Sequence, residues 1–468
     1  MRLARSVLPI AWGILALGFV YELWRHLPAA GDFWTFWAAA RALAAGRDPY
    51  VFASLTGVAA LPPGPTPGPF LSPLSLAEAI RPLALLPLGV AQHLWLLVNL
   101  MLSGVLLLLL LGLAGSRLRW PAVIGGAALL MAFQPFDITL WLGQTDVLVV
   151  VALAVGWRLL QRGRPFLGGL VMSAVVVDVH LILGFGCFLL YSALVHRRWR
   201  PLAGLGTGLA VTAAACLLHP ADLAQWLFVT LPHAQRAAIE PWDTLSVLQA
   251  TSELLGRRAG LVLTLAVDIV AVALAYVAWG RCRSEDAGTG ELAVAAVLTL
   301  VTTTFAYNQD FLVAVLAAPL LVRLWHRSAR GAWLGALAFC LGVGYGLAEL
   351  TNGHITPGHA AFILGAPMLA LLVLVFLPKV APRLEAGHWA WSTAWVLLTV
   401  GGYAILTYAH SEIGAEVLML GGALAFVAAL AAFGPGGPRA WPAAPSTGPD
   451  PTAREFGGPA AEGTPVGG

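Results

Sequence analysis

Asp32 opens the run Gly31-Asp32-Phe33-Trp34-Thr35-Phe36-Trp37, directly after the first apolar span. A carboxylate ahead of a tryptophan-rich interfacial helix suits proton removal from an acceptor hydroxyl. An Asp ahead of a helix is also a good N-cap, worth about 1 kcal/mol. Residue spacing leaves both roles open.

Other polar residues interrupt apolar sequence at places where they must be paired, wet or useful. Asp178 and His180 fall between Val175-Val176-Val177 and Leu181-Ile182-Leu183. Ionisable groups at membrane depth face a bundle interior or a wet cavity, but a hairpin tip at the interface accounts for them equally. Gly143-Gln144-Thr145-Asp146 precedes another apolar helix. Asp146 suits the helix dipole there, and Gln144 has the groups to bind a sugar hydroxyl. Asn308, Gln309 and Asp310 sit at one further tip, where a wet loop is the alternative. Asp268 lies deeper in its span, where pairing with another helix fits better than catalysis. His354 and His359 are five apart around Pro357-Gly358, which is not the i, i+4 spacing of a helical metal site. The four cysteines lie in or beside predicted helices, in no CxxC or Cys/His metal pattern, so neither metal ligands nor disulfides are expected.

The elements that must position these groups are membrane helices. Of 468 residues, 59% are hydrophobic and 10% charged, against about 25% charged in soluble domains. Mean hydropathy is +0.82. Several runs reach the roughly 20 apolar residues that cross a bilayer as helix, and stretches such as Val105–Gly112 lack the alternation of an outer-membrane barrel. The pattern gives predicted spans at about 6–24, 92–114, 120–136, 145–160, 165–179, 181–196, 201–218, 259–280, 291–306, 311–325, 331–350, 359–378, 388–409 and 415–433. With the N-terminus inside, 19 of the 26 Lys and Arg residues fall in inner loops; Arg25, Arg41, Arg47, Arg81, Arg236, Arg257 and Arg258 fall outside. That bias sets the orientation. The net charge of +3 is therefore a topology signal and no sign of nucleic-acid binding. Eight of the eleven histidines and most candidate carboxylates fall on or near the outer face, so an active site faces out.

Two long outer segments, about 25–91 and 219–258, are large enough to build a site. The first holds an amphipathic stretch, Asp32–Ala45, with Gly46 as its stop. A Pro/Gly run over 61–69 follows, which cannot be helical. The second carries Pro232-His233, Glu240-Pro241-Trp242-Asp243 and Gln249. The tail over 434–468, rich in Gly, Pro and Ala, reads as a disordered cytoplasmic extension. No internal repeat is evident, which counts against inverted-repeat transporters.

The order of several short motifs resembles glycosyltransferase family 87, which includes polyprenyl-phosphate-mannose-dependent mannosyltransferases. Asp32, Phe36, Ala38-Ala39-Ala40, Gly46 and Asp48-Pro49-Tyr50 are similar to its first outer loop. Ser72-Pro73, Pro82-Leu83, Leu86-Pro87 and the stretch 95–99 follow. Gly143-Gln144-Thr145-Asp146 resembles its Gly-Gln-x-Asn element, with Asp for Asn. Gly163-Arg164-Pro165, Gly168-Gly169, Arg197-Arg198-Trp199-Arg200 and Thr244–Leu248 come in order, over about residues 30–320. The resemblance implies a GT-C-type, all-α polytopic bundle of about 12–14 transmembrane helices with outer juxtamembrane helices, filling residues 1–433. It implies a polyprenyl-phosphate sugar donor, mannose by default, a lipid or glycan acceptor, membrane lipid as surroundings, and Asp32 as general base. Its active site would face the extracytoplasmic side of the cell membrane. Donor and acceptor binding would fall among Gln144, Asp146, Asp178, His180, Arg236, Trp242, Arg257, Arg258, Asn308, Gln309 and Asp310. No metal or other cofactor is expected. Members commonly carry a Lys near Asp178–His180; here His180 is the nearest group able to carry positive charge. A transporter or flippase, or a non-catalytic assembly factor, is the alternative.

Overall fold

The computed structural model describes residues 31–62, 68–115, 134–232, 255–281, 287–303, 307, 309–320 and 323, with isolated positions among 13–27, 123–130 and 248–252. These residues belong to the first of two units, Met1–Pro435. The candidates Arg236, Trp242 and Asn308, the last four predicted spans and the tail lie outside the described residues.

Every described element is helical. The first is α1, Asp32–Ala44, then α2, Phe52–Thr56, and α3, Leu74–Ala84. Gly46 follows α1 at φ +67°, a left-handed position glycine adopts without strain. The expected interfacial helix is in fact buried on nearly all sides: Phe33 through Ala40, Ala42 and Leu43 are all interior. Its polar edges are met by chain that folds over it. Trp34 Nε1 donates to the Ala60 carbonyl (3.1 Å), Thr35 Oγ1 to that of Gly68 (3.0 Å) and Trp37 Nε1 to that of Leu86 (3.2 Å). Helices α1 and α3 pack together in an apolar cluster of their own, distinct from the core of the main bundle.

The bundle begins with α4, Leu88–Leu113, then α5, Gln134–Leu142, α6, Asp146–Gln161, and α7, Pro165–Met172. A 3-10 segment, Ser173–Ile182, leads into α8, Leu183–His196, and α9, Trp199–Cys216. After a 116° bend come α10, Pro220–Gln225, and a π-helical turn, Trp226–Thr230. The chain continues with α11, Arg257–Arg281, α12, Ala287–Thr302, and a second 3-10 segment, Gln309–Ala317. By length and composition, α4, the run Pro165–His196 and Arg257–Gly280 can each cross a membrane, and the bent pair α9–α10 makes a fourth if counted as one span. This is an all-α membrane protein.

Glycine contacts fix the directions of travel. A methyl on Gly204 would meet the Phe166 carbonyl and the Leu170 nitrogen; one on Gly208 would meet Ser173. Higher numbers on α9 thus lie beside higher numbers on α7, and the two helices run parallel. Pro165 and Pro201 share one end of the bundle, so the chain between them goes out and returns. The turn lies in the 3-10 segment, where Asp178 has non-helical φ −134° and ψ 70°. The expected hairpin is therefore present, although its two arms together pass as one long apolar run. In the same way, Gly184 at the start of α8 lies on Ala295 and Thr299 late in α12, while Trp157 late in α6 donates to the carbonyl of Gly288 early in α12 (2.8 Å). One end of the bundle then holds Asp146, Asp178 and Asp310. The other holds Arg162, Arg164, Arg197, Arg198 and Arg200.

Candidate functional site

Asp32 is the first residue of α1. Its cap position is Gly31, and no side chain caps the helix. The N-cap reading is thereby corrected: the sequence boundary is one residue earlier than a capping Asp needs. Its carboxylate instead accepts a hydrogen bond from Gln144 Nε2, on the α5–α6 loop 112 residues later.

That loop is built tightly. Gly143 has φ +73°, and a Cβ there would sit 2.8 Å from Phe33 Cβ. Only glycine meets both demands, the left-handed backbone and the close approach. Trp95 stacks on Phe33 with ring centroids 5.7 Å apart and donates from Nε1 to the Gly143 carbonyl (2.8 Å). The Gln144 backbone N–H donates to the Thr139 carbonyl (2.9 Å), and Asn99 Nδ2 reaches the Gln144 carbonyl at 3.5 Å. Trp95 and Asn99 are four apart on one face of α4, which is the signal that could have marked them.

The next residue reaches the other way. Thr145 Oγ1 donates to Asp178 Oδ2 (2.5 Å). Sequence reasoning did not assign Thr145 this role. His180, two residues past Asp178, meets Asp310 with Nε2 3.0 Å from Oδ2. Asp310 Oδ2 also accepts from the Tyr307 N–H (2.7 Å), closing the first turn of its 3-10 segment. Asp146 is buried near Asp310 and Asp178, close enough for their charges to act on one another. Six sequence candidates are thus gathered in one place: Asp32, Gln144, Asp146, Asp178, His180 and Asp310. They are graded by depth. Asp32, Gln144, Asp178 and His180 are partly accessible, while Asp146 and Asp310 are buried; Thr145, which holds Asp178, and Gln309, beside Asp310 in sequence, are buried too.

Arg257 and Arg258 are exposed at the start of α11. Trp279, near the far end of that helix, donates to the Glu291 carbonyl early in α12 (3.3 Å). The two arginines therefore lie at the acidic end of the bundle, outside the hydrogen-bonded cluster. Asp268, mid-helix, lines an open apolar groove with Ile269, Val272, Ala273 and Tyr276, and its Oδ1 has no hydrogen-bond partner among the described residues. The expected pairing with another helix is not seen among them.

A second polar group at the same end is architectural. Asp48 Oδ1 accepts from the Tyr50 N–H (2.8 Å), an Asx turn around Pro49. The Tyr50 hydroxyl donates to the Ser72 carbonyl (3.1 Å). Burial, with Cys216, Asp222 and Asp48 adding to it, pushes the Tyr50 phenol up, so it remains a neutral donor. His219 pairs with Glu78 (3.6 Å), and Trp226 Nε1 donates to the Leu71 carbonyl (2.8 Å), tying the α10 segment to the outer layer. Among the described residues, no cluster of three or more His, Cys, Asp or Glu has metal-binding geometry.

A sequence model of glycosyltransferase family 87 matches residues 70–306, just over half of the 468 residues. The chain belongs to glycosyltransferase family 87. No curated protein and no solved structure matches it. The family 87 match takes in Gln144, Thr145, Asp146, Asp178 and His180; Asp32 and Asp310 lie outside it, and the fold brings both back to the matched residues. Membership makes the protein a membrane glycosyltransferase, which favours transfer chemistry over the transporter, flippase and assembly-factor alternatives.

Proposed function

We propose that this family 87 enzyme has a GT-C-type transferase domain over residues 1–433. It would transfer a sugar, mannose by family default, from a polyprenyl-phosphate donor to a hydroxyl of a lipid or glycan acceptor. The acceptor oxygen attacks the anomeric carbon as the bond to the phosphate oxygen breaks. Polyprenyl phosphate leaves, the configuration inverts, and the acceptor proton passes to Asp32. The observation that carries this reading is the Asp32 carboxylate, partly accessible and held by Gln144 at the acidic end of the bundle. A general base must be fixed within reach of the proton it takes.

The leaving phosphate needs cationic or hydrogen-bonding support. His180 Nε2 is turned to Asp310, so a phosphate could take that nitrogen only by displacing a carboxylate. Arg257 and Arg258, exposed at the same end, are better placed for the phosphate, with Arg236 a further candidate from the sequence. The concentration of arginines at the opposite end supports an orientation with the acidic end outside the cytoplasmic membrane.

The test is transfer of radiolabelled mannose from polyprenyl-phosphate-mannose to a total lipid extract of the source membranes by the purified, reconstituted protein. Product formation with GDP-mannose but not with the lipid-linked donor would refute the donor assignment.

A further inference from the structure

Gln144 has the groups to bind a sugar hydroxyl, yet its amide nitrogen is engaged by Asp32. We propose that Gln144 is a positioning residue, which fixes the Asp32 carboxylate for proton transfer and does not bind sugar. This inference rests on the reading of Asp32 as general base.

Three observations support it. First, the amide is assigned its orientation by its partner: a carboxylate accepts, so the nitrogen must face it. Second, the residue is held on a rigid mount. Its N–H donates to Thr139, its carbonyl meets Asn99, and the glycine before it is wedged against Phe33 and Trp95. A side chain on such a mount can hold the rotamer of the carboxylate it bonds. Third, the neighbour Thr145 holds Asp178 from the same loop. Two consecutive residues therefore anchor two carboxylates from different elements, and the loop sets their separation.

The chemistry favours an amide in this role. An N–H donated to a carboxylate favours the ionised form, which is the form that accepts a proton. A Lys or Arg at this position would also orient Asp32, but its full charge would cost the carboxylate much more of its proton affinity. A neutral donor orients the base and leaves it basic.

The experiment uses the reconstituted full chain, radiolabelled polyprenyl-phosphate-mannose and the same lipid extract as acceptor. Gln144→Met keeps the shape and removes the donor. We expect kcat to fall ~10- to 100-fold, the value of one charge-assisted hydrogen bond, with donor KM within about threefold of wild type. The acidic limb of the kcat profile should move to higher pH by about one unit. Gln144→Glu is nearly isosteric and reverses the pattern. Two facing carboxylates cannot bond at neutral pH, and activity should recover as the pH is lowered until they share a proton. Gln144→Met with wild-type kcat and an unmoved acidic limb would overturn the proposal. So would a rise in KM alone, which would return Gln144 to substrate binding. If the Met variant does not accumulate, the Glu variant decides by the presence or absence of low-pH recovery. Asp32→Asn separates the two levels: an active Asp32→Asn defeats the base reading itself, whereas an inactive Asp32→Asn beside a wild-type-like Gln144→Met defeats only the positioning role.

Discussion

Replacing Asp32 by Asn isolates its basicity from every other role it has. Asn is the same size and keeps a side-chain oxygen that can accept from Gln144 Nε2. The cap position of α1 is Gly31, so the substitution does not touch the N-cap residue. The remaining structural cost is one negative charge in the first turn of α1, about 0.3–1 kcal/mol of helix-dipole stabilisation. The variant should fold, accumulate and bind the lipid donor. Its chemistry should be crippled, since an amide cannot take the acceptor proton at neutral pH. General bases contribute about 100- to 10,000-fold in rate, so the barrier should rise by about 2.7–5.4 kcal/mol at 1.36 kcal/mol per decade. The assay is single-turnover transfer from radiolabelled polyprenyl-phosphate-mannose, with thermal unfolding and donor binding measured on the same preparation. Turnover within about threefold of wild type in a folded variant would refute the assignment. Loss of activity accompanied by loss of the fold would show that the charge matters to structure far beyond its helix-dipole contribution.

Other consequences are as direct. Gly143→Ala forces a Cβ to 2.8 Å from Phe33 Cβ at φ +73°; it should displace the start of α1 and lower kcat at least about tenfold, and a wild-type rate would show that the wedge is not needed. Gly204→Ala places a methyl 2.0 Å from the Phe166 carbonyl oxygen; separation of α7 from α9 should cost about 1–3 kcal/mol, read as a lower unfolding temperature. Tyr50→Phe removes the donor to Ser72 and should cost about 1 kcal/mol of stability with kcat unchanged. Cysteines placed in the Asp32 and Trp242 loops should label with an impermeant thiol reagent in intact cells; labelling only after lysis would reverse the topology. Activity should survive excess EDTA, because the sequence has no Asp-x-Asp pair for holding a metal on a nucleotide-sugar diphosphate; full loss restored by magnesium or manganese would contradict this.

Local features were legible wherever one short stretch determines them. The start of α1 near Asp32 and its stop at Gly46 follow from residue types. So does the turn at Asp178, because basic residues flank the 165–196 run at both ends. What could not be read was pairing across the chain. Asp32 and Gln144 are 112 residues apart, and Thr145 and Asp178 are 33 apart. Hydropathy says that such groups end up at helix tips, but not which tips meet. The burial of α1 was missed for a related reason. Its partners are the carbonyls of Ala60, Gly68 and Leu86, which come from connecting chain whose path carries no periodic signal.

The residues at and around the site separate by what they touch. Asp48 and Tyr50 bond to backbone within the outer layer. Gly168, Gly169 and Gly204 let α6, α7 and α9 approach closely. Trp95 holds a loop. These residues build and place the mount. Asp32, Gln144, Thr145, Asp178, His180 and Asp310 bond side chain to side chain, an arrangement that adds little to folding that an apolar packing would not supply at lower cost. A protein that sets such a half-buried network at one end of a membrane bundle, opposite the cluster Arg162, Arg164, Arg197, Arg198 and Arg200, incurs a stability cost for placement. That cost is understandable if one member, Asp32, must present a fixed and ionised carboxylate to an acceptor hydroxyl, as proposed above, with Gln144 holding it.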